Sequence, residues 1–208
     1  MLFRFVVATN TTITKPVCLT SYETKRTDAD RLNHVKIWQA ALATSAASTF
    51  FDPLTISMGA YDEVYVDGAT GANNPIYQVW NEANDVWIKG SDKLEDNIDC
   101  LVSIGTGIPS LKPFGKSLKA VGETLVRIST ETEDTAETFH RAHLHLFSAG
   151  SCSRFNVNGL ESVGLEETAK KNLIIQATKN YLQSQKVLDT TEKVVKCLKD
   201  HECAFDYA

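Results

Sequence analysis

The chain lacks several features that would place it outside the ordinary globular class. No apolar stretch approaches the roughly 20 residues that a helical membrane span needs. The N-terminus lacks a signal-peptide pattern, because Arg4 interrupts the apolar start and no small-residue cleavage site follows. There is no long basic run, and 21 Lys and Arg stand against 26 Asp and Glu for a formal net charge of −5, which argues against nucleic acid as a main partner. No Cys-x-x-Cys occurs. The five cysteines (Cys18, Cys100, Cys152, Cys197, Cys203) are scattered and odd in number, and read as reduced thiols of a cytoplasmic protein rather than as a disulfide framework. The sequon Asn10-Thr11-Thr12 carries no weight without secretion. Internal repeats and low-complexity segments are absent. What is present is 208 residues, 43% hydrophobic and 23% charged, enough for one domain with a sizeable core.

Hydrophobic periodicity orders the chain. Leu2–Ala8 is a β-branched and aromatic run that predicts a buried strand, followed by polar, loop-like residues 9–27. Asp28 or Asp30 caps a predicted helix running to about Ala47, with Val35, Trp38 and Leu42 on one face. A short strand is predicted at Glu63–Val66, then a polar turn. Pro75 falls at a first helical position with Asn74 as its cap, and the helix places Ile76, Trp80, Ala83 and Trp87 on one face. Cys100–Ile104 reads as a buried strand closed by Gly105-Thr106-Gly107. A long helix is predicted from about Lys116 to His143, a last strand at Arg154–Val157, a helix at Gly164–Gln185, and a shorter one from Thr190 to Lys199. Alternating strands and helices predict a parallel α/β sheet of three or four strands. A buried-type strand at residue 2 wants neighbours and cover on both faces, so the chain is expected either to start partway through a domain or to begin with an edge strand of a small complete one.

The segment Val66-Asp67-Gly68-Ala69-Thr70-Gly71-Ala72-Asn73-Asn74-Pro75 carries most of the chemical information. It puts a carboxylate at the end of a strand, on a tight turn at the carboxyl edge of a sheet, where α/β proteins keep their sites. Taken alone, Asp-Gly is a common turn and Asn-Pro a common helix start. Other signals are weaker. Gly105-Thr106-Gly107 would need a third glycine at the position of Ser110 to make a dinucleotide loop. His140, His143 and His145 have no carboxylate or cysteine at zinc-ligand spacing and complement a helix C-terminus instead. Glu131, Glu133, Asp134 and Glu137 read as a solvated helix face, and Trp38, Trp80 and Trp87 as core.

Read together, Ala43-Thr44-Ser45-Ala46-Ala47 with Phe50-Phe51-Asp52-Pro53, then Asp67-Gly68-Ala69 with Asn73-Asn74-Pro75, then Ser103-Ile104-Gly105-Thr106-Gly107, Arg154-Phe155-Asn156-Val157 and Leu160 to Glu167 resemble the patatin-like phospholipases, most closely the fungal type. The resemblance runs from residue 1 to about 185. It departs from the family at Leu42, where arginine is usual, and at Ser48, where proline is usual. It implies a three-layer α/β/α parallel-sheet domain over residues 1–185 with a helical extension at 186–208. It also implies a serine–aspartate dyad acting on phospholipid or acylglycerol esters. Asp67 would be the proton acceptor, Gly68 and Ala69 would complete its motif, and Gly71, Asn73, Asn74 and Pro75 would form the supporting turn. No cofactor, metal or nucleic acid is implied; the partner is lipid, with contact at most peripheral to a membrane.

The family's serine lies in a Gly-x-Ser-x-Gly elbow after a glycine-rich oxyanion loop, and neither occurs in this sequence. Gly150-Ser151-Cys152-Ser153-Arg154 lacks the closing glycine, and Ser103 precedes its glycines. The resemblance therefore implies that this chain corresponds to the C-terminal part of the domain, without its N-terminal strands and elbow, and is inactive alone. The alternative expectation is a non-catalytic remnant that binds or scaffolds.

Overall fold

The computed structural model of the protein describes residues 3–48, 50–108, 132–160, 163 and 167–202. They fall into two units, Met1–Gly90 with Ser117–Thr132, and Ser91–Lys116 with Glu133–Ala208.

In the first unit the chain reverses at Asn10, whose side-chain oxygen accepts from the backbone N–H groups of Thr12 and Ile13. This Asx turn joins β1 (Phe5–Asn10) to β2 (Lys15–Thr20) as a hairpin. A second hairpin joins β3 (Leu54–Ser57) to β4 (Asp62–Asp67), closed by a backbone hydrogen bond from Met58 to Tyr61. The sheet order is β2-β1-β4-β3 and every pairing is antiparallel. Each hairpin loop has only four residues, too few for the crossover that parallel strands require.

One face of this sheet is covered by α1 (Ala29–His34) and α2 (Ile37–Thr44). Asp28 caps α1 by accepting from Asp30 and Arg31 N–H, and the chain is extended at Val35 and Lys36, which separates the two helices. The buried cluster is Ala8, Leu19, Ala43, Ile56, Met58 and Tyr65, with Val35 and Ala40 packed against it. Each fully buried large aliphatic side chain of this kind contributes about 1.5–3 kcal/mol. Beside the cluster, Glu63 is buried and takes a two-pronged ion pair from Arg31 (Nε–Oε2 2.8 Å, Nη2–Oε1 2.7 Å). The fully buried Tyr65 hydroxyl also donates to Glu63. After β4 come a helical turn, α3 (Ala69–Ala72), and α4 (Ile76–Trp87).

The second unit holds a parallel pair, β5 (Leu101–Ile104) with β6 (Cys152–Phe155), in the register Leu101↔Cys152 to Ile104↔Phe155. Helical residues 132–142 (α5) and α6 (Leu144–Ala149) precede β6. Gly150, at φ 85°, ends α6 in the left-handed conformation. A 3-10 turn at Thr168–Lys170, α7 (Lys171–Leu182) and α8 (Gln185–Glu202) follow, with Val187 and Val194 buried on α8.

The mixed α/β class with a parallel pair agrees with the sequence; the larger sheet, being antiparallel, does not. Two strands escaped the sequence reading, β2 inside the supposed loop 9–27 and β3 at Leu54. The helix expected over residues 28–47 is broken in two. Its supposed apolar face is not a core face, since Trp38 is 56% and Leu42 52% exposed. Trp87 is 59% exposed and meets the edge of Phe3 instead of entering a core. Glu133 is not solvated scenery but pairs with Arg154 at 2.8 Å. The strand at the N-terminus has neighbours on both sides, although β4 pairs only with Ala8, Thr9 and Asn10. The helix at Thr190–Lys199 is longer, starting at Gln185. The helix expected from Lys116 lies outside the described residues up to 131.

The Arg31 hydrogen bonds hold the Glu63 carboxyl below its ordinary range against the opposing effect of burial. A lowered native pKa gives stability that is present above the unfolded value of about 4.3 and is lost as pH falls through the native value. Glu63→Gln, which leaves Arg31 facing an uncharged amide, should cost on the order of 2 kcal/mol at pH 7. The difference in Tm between the two proteins should shrink steadily below about pH 4.5. A difference that stays constant down to pH 3 would show that the ion pair is not the source.

Candidate active site

β4 delivers Asp67 to the end of the antiparallel sheet. Its backbone N–H donates to the Ala46 carbonyl at 2.9 Å, which ties the strand end to the turn after α2. The Thr44 hydroxyl from the end of α2 donates to the Val7 carbonyl at 2.6 Å. The segments Ala43–Ala47 and Asp67–Pro75, separate in sequence, are thus fastened together and to β1.

Gly68 has no room for a side chain. A Cβ there would sit 2.2 Å from the Val7 carbonyl oxygen. A Cβ on Gly71 would crowd Pro16 of β2 at 3.2 Å. The two glycines therefore let the chain cross closely over β1 and β2, and neither has the positive φ that would otherwise explain its choice. Between them, Ala69 N–H donates to Asp67 Oδ1 at 2.8 Å and fixes the half-buried carboxylate. The supporting turn is anchored by its asparagines. Asn74 is buried, its side-chain oxygen accepts from Ile76 N–H at 3.3 Å, and its amide donates to the Thr132 carbonyl. Asn73 donates to the Thr132 hydroxyl at 2.6 Å. The N-cap of α4 is Pro75, which makes no side-chain cap; Asn74, the cap expected from the sequence, stands one residue earlier and reaches Ile76 N–H from there.

An open groove of about 1270 Å³ runs past Asp67. One wall comes from α2, including Ile37, Ala41 and Thr44, and the other from Ala72, Val79 and Glu82. Its floor is the β1 segment Phe5–Val7, which lies beyond the end of β4 pairing. In an antiparallel sheet successive residues point their N–H and C=O groups to alternate sides. Arg4 bonds across to Ser21 and Thr11 bonds to Val64, so Phe5 and Val7 direct theirs toward the groove. Among the described residues no strand pairs with that side of Phe5–Val7. At the far wall Glu82 accepts from the Tyr22 hydroxyl at 2.8 Å, and burial, with Glu82 nearby, pushes the Cys18 thiol up to about 12.

The remaining sequence signals meet in the second unit. Gly105 N–H donates to Phe155 C=O, and Gly107 N–H donates to the Asn156 side chain, both at 2.8 Å. Arg154 donates to the Ser103 hydroxyl at 2.8 Å and, with Asn156, to Glu133. The Ser103–Gly107 and Arg154–Val157 segments are therefore one hydrogen-bonded assembly. A Cβ at Gly105 would lie 2.4 Å from Asn156 Oδ1. Most of Leu160–Glu167 falls outside the described residues. Of the histidines, His143 packs on Phe139 with centroids 4.4 Å apart and His140 on Phe147 at 4.3 Å. The roles of Glu63 and Glu133 as carboxylates within ion-pair networks were not apparent in the sequence, because their partners lie 32 and 21 positions away.

A strand-end aspartate on a glycine turn thus stands beside an open groove in an α/β fold. In comparison with known proteins, residues 4–80 match the model of the patatin-like phospholipase family. The chain is similar to Patatin-like phospholipase 1 of Plasmodium falciparum, with 31% identity over 172 residues, covering 76% of this chain and 25% of that protein. It is also similar to Calcium-independent phospholipase A2-gamma of Rattus norvegicus, with 26% identity over 168 residues (78% and 19%). Phospholipase A I of Arabidopsis thaliana shares 32% over 104 residues (49% and 7%). The chain spans a quarter or less of the length of these relatives. Among the described residues no helix is long and apolar enough to cross a membrane.

Because the obstacle at Gly68 is a backbone oxygen, Gly68→Ala should destabilise the protein by about 2–3 kcal/mol, while Gly90→Ala, where the added carbon meets nothing but φ is 70°, should cost about 1 kcal/mol. Chemical denaturation of the two variants checks the order. Equal losses would mean that the Val7 approach is relaxed in solution.

Proposed function

We propose that this chain is the aspartate-bearing part of a lipid acyl hydrolase, with residues 1–185 belonging to the patatin-like domain and 186–208 forming a helical extension. Asp67 is the proton acceptor. The reaction is hydrolysis of phospholipid or acylglycerol esters by a serine whose elbow is supplied from outside this sequence. The observation that carries the reading is the position of Asp67 at the end of β4, held by Ala69 N–H and Ala46 C=O, at the side of a groove where, among the described residues, no strand pairs with that edge of Phe5–Val7. A strand ending in a nucleophile turn fits beside Phe5, whose backbone groups face the groove, with α2 and α4 as cover; the Val7 carbonyl is already engaged by Thr44. Exposed Ile37 and Trp38 on α2 are in keeping with contact at a lipid surface.

In this reading the serine hydroxyl attacks the ester carbonyl and its proton passes to Asp67. The tetrahedral intermediate expels the alcohol, which takes that proton from Asp67. Water then attacks the acyl-enzyme, again losing a proton to Asp67; the acyl–serine bond breaks, the fatty acid leaves, and the serine oxygen takes the proton back from Asp67. Donors of the oxyanion loop contribute about 10²–10³ each. A second reading, a non-catalytic binding module, is favoured by the lack of any Gly-x-Ser-x-Gly in the 208 residues.

The test joins the chain to the glycine-rich loop and elbow segment of a patatin-like relative. The fusion should hydrolyse p-nitrophenyl esters and phospholipid vesicles, and the 208-residue chain alone should not. Asp67→Asn in the fusion should lower kcat by about 10³-fold, since the amide keeps the shape and loses the base. Full turnover in that variant would remove Asp67 from the mechanism. Turnover by the chain alone, with a fluorophosphonate labelling one of its serines, would place the nucleophile within it. A folded but inactive fusion favours the binding module.

A further inference from the structure

Three cysteines of the second unit come together at one end of its parallel pair. Cys100 immediately precedes β5, Cys152 opens β6, and Cys197 lies in the later part of α8. The register sets Leu101 opposite Cys152, so Cys100 is one step from that pairing. Cys197 follows the buried Val194 by three positions, which puts it on the inward face of α8. Its thiol donates at 2.6 Å to the carbonyl of Asp99, the residue that directly precedes Cys100, which brings the Cys197 sulfur beside Cys100. Both are partly exposed, whereas Cys152 is buried. None of the three is in a disulfide, and none belongs to the Asp67 site.

We infer that Cys100 and Cys197 form a redox-sensitive dithiol site that closes reversibly into a disulfide when the protein meets a hydroperoxide.

The chemistry balances with hydrogen peroxide as oxidant. The Cys197 thiolate attacks one peroxide oxygen; the O–O bond breaks, and the departing hydroxide takes up a proton, equal to the one Cys197 gave up, to leave as water. Cys197 is now a sulfenic acid. The Cys100 sulfur then attacks the Cys197 sulfur; the S–O bond breaks, and the hydroxyl leaves with the Cys100 proton as a second water. Two thiols are oxidised by two electrons and one peroxide is reduced to two waters. The order of attack follows from the surroundings. Burial, then the Cys197 thiol and Asp99, push the Cys100 thiol up to about 11, in keeping with a resolving role for Cys100. Cys152 is excluded by burial, which pushes its thiol up to about 12 and shields it from oxidant. A closed disulfide would fasten α8 to the start of β5, two segments remote in sequence. A thiol reductant reopens it, which suits a reducing compartment where permanent disulfides do not persist.

The test uses the whole chain. After brief hydrogen peroxide treatment and alkylation of remaining thiols, peptide mass mapping should find a Cys100–Cys197 cross-link, abolished by dithiothreitol. The link should be absent in Cys100→Ser and in Cys197→Ser and should persist in Cys18→Ser and Cys152→Ala. Oxidised protein should melt on the order of 5 °C higher than reduced protein, with no such shift in Cys197→Ser. A cross-link from Cys100 to Cys152, a link between two chains, or over-oxidation of separate thiols with no cross-link would each overturn the assignment. The map of the unsubstituted protein decides this even if a variant fails to fold.

Discussion

The close approach of Gly68 to the Val7 carbonyl is the constraint on which the site depends. Adjacent β-strands hold their backbones about 4.7–4.9 Å apart and could continue side by side indefinitely. β4 stops pairing at Asp67 because the next residue passes so near Val7 that even a methyl group would lie 2.2 Å from its oxygen. The chain then leaves the sheet plane as α3. Three consequences follow from that single departure. Asp67 becomes the last strand residue, its carboxylate is caught by Ala69 N–H, and among the described residues no strand pairs with that side of Phe5–Val7. A side chain at position 68 would push the turn off β1 and disturb all three together.

The cover of the first unit is arranged around that departure. The Arg31–Glu63–Tyr65 network, set among the residues that bury Ile56 and Tyr65, holds α1 against β4 from one side. Thr44 and Ala46 hold the end of α2 against β1 and β4 from the same side. On the other side Gly71 lies against Pro16, and Tyr22 holds α4 through Glu82. Each of these fastenings acts at one end of a short element. Isolated helices of six or eight residues are not stable in water, so α1 and α2 exist because the sheet holds them.

What could be read from the sequence is what short-range chemistry dictates. Asp28 as a helix cap, the strand ending in Asp67 and the strand before Gly105 all depend on neighbours within a few positions. The direction of the larger sheet did not come through, because β2 and β3 are weak strands by composition. β2 contains Pro16, and β3 has only four residues. With those two hidden, the hairpins vanish and the remaining strands look like members of a parallel sheet. The helix over residues 28–47 failed for a related reason. Apolar residues at helical spacing signal a face, but not whether anything covers it; Trp38 and Leu42 keep the spacing and stay exposed. The ion pairs of Glu63 and Glu133 and the meeting of Cys100 with Cys197 join distant positions, and no local pattern encodes them.

The geometry also bears on why a carboxylate could serve without a histidine. In a three-membered serine machine the third group does not take the proton; it holds the base in orientation. At Asp67 that orienting task is already met by the backbone. Ala69 N–H engages Oδ1 directly, and the donor is fixed because Gly68 and Gly71 press the turn onto β1 and β2. A carboxylate on a short side chain at a strand end has two rotatable bonds, and one backbone hydrogen bond restrains both. An imidazole interposed between Asp67 and a serine would need room and its own support. In the proposed mechanism a strand seated along Phe5–Val7 would instead bring its terminal turn to Asp67 directly. Two of the five histidines, His140 and His143, are engaged with Phe147 and Phe139 of the other unit, His34 at the end of α1 meets the Asp30 carbonyl, and the turn that holds Asp67 contains none. In the proposed mechanism, orientation of the base is thus built from backbone and glycine, so that the Asp-Gly-Ala segment is informative although no single residue of it is.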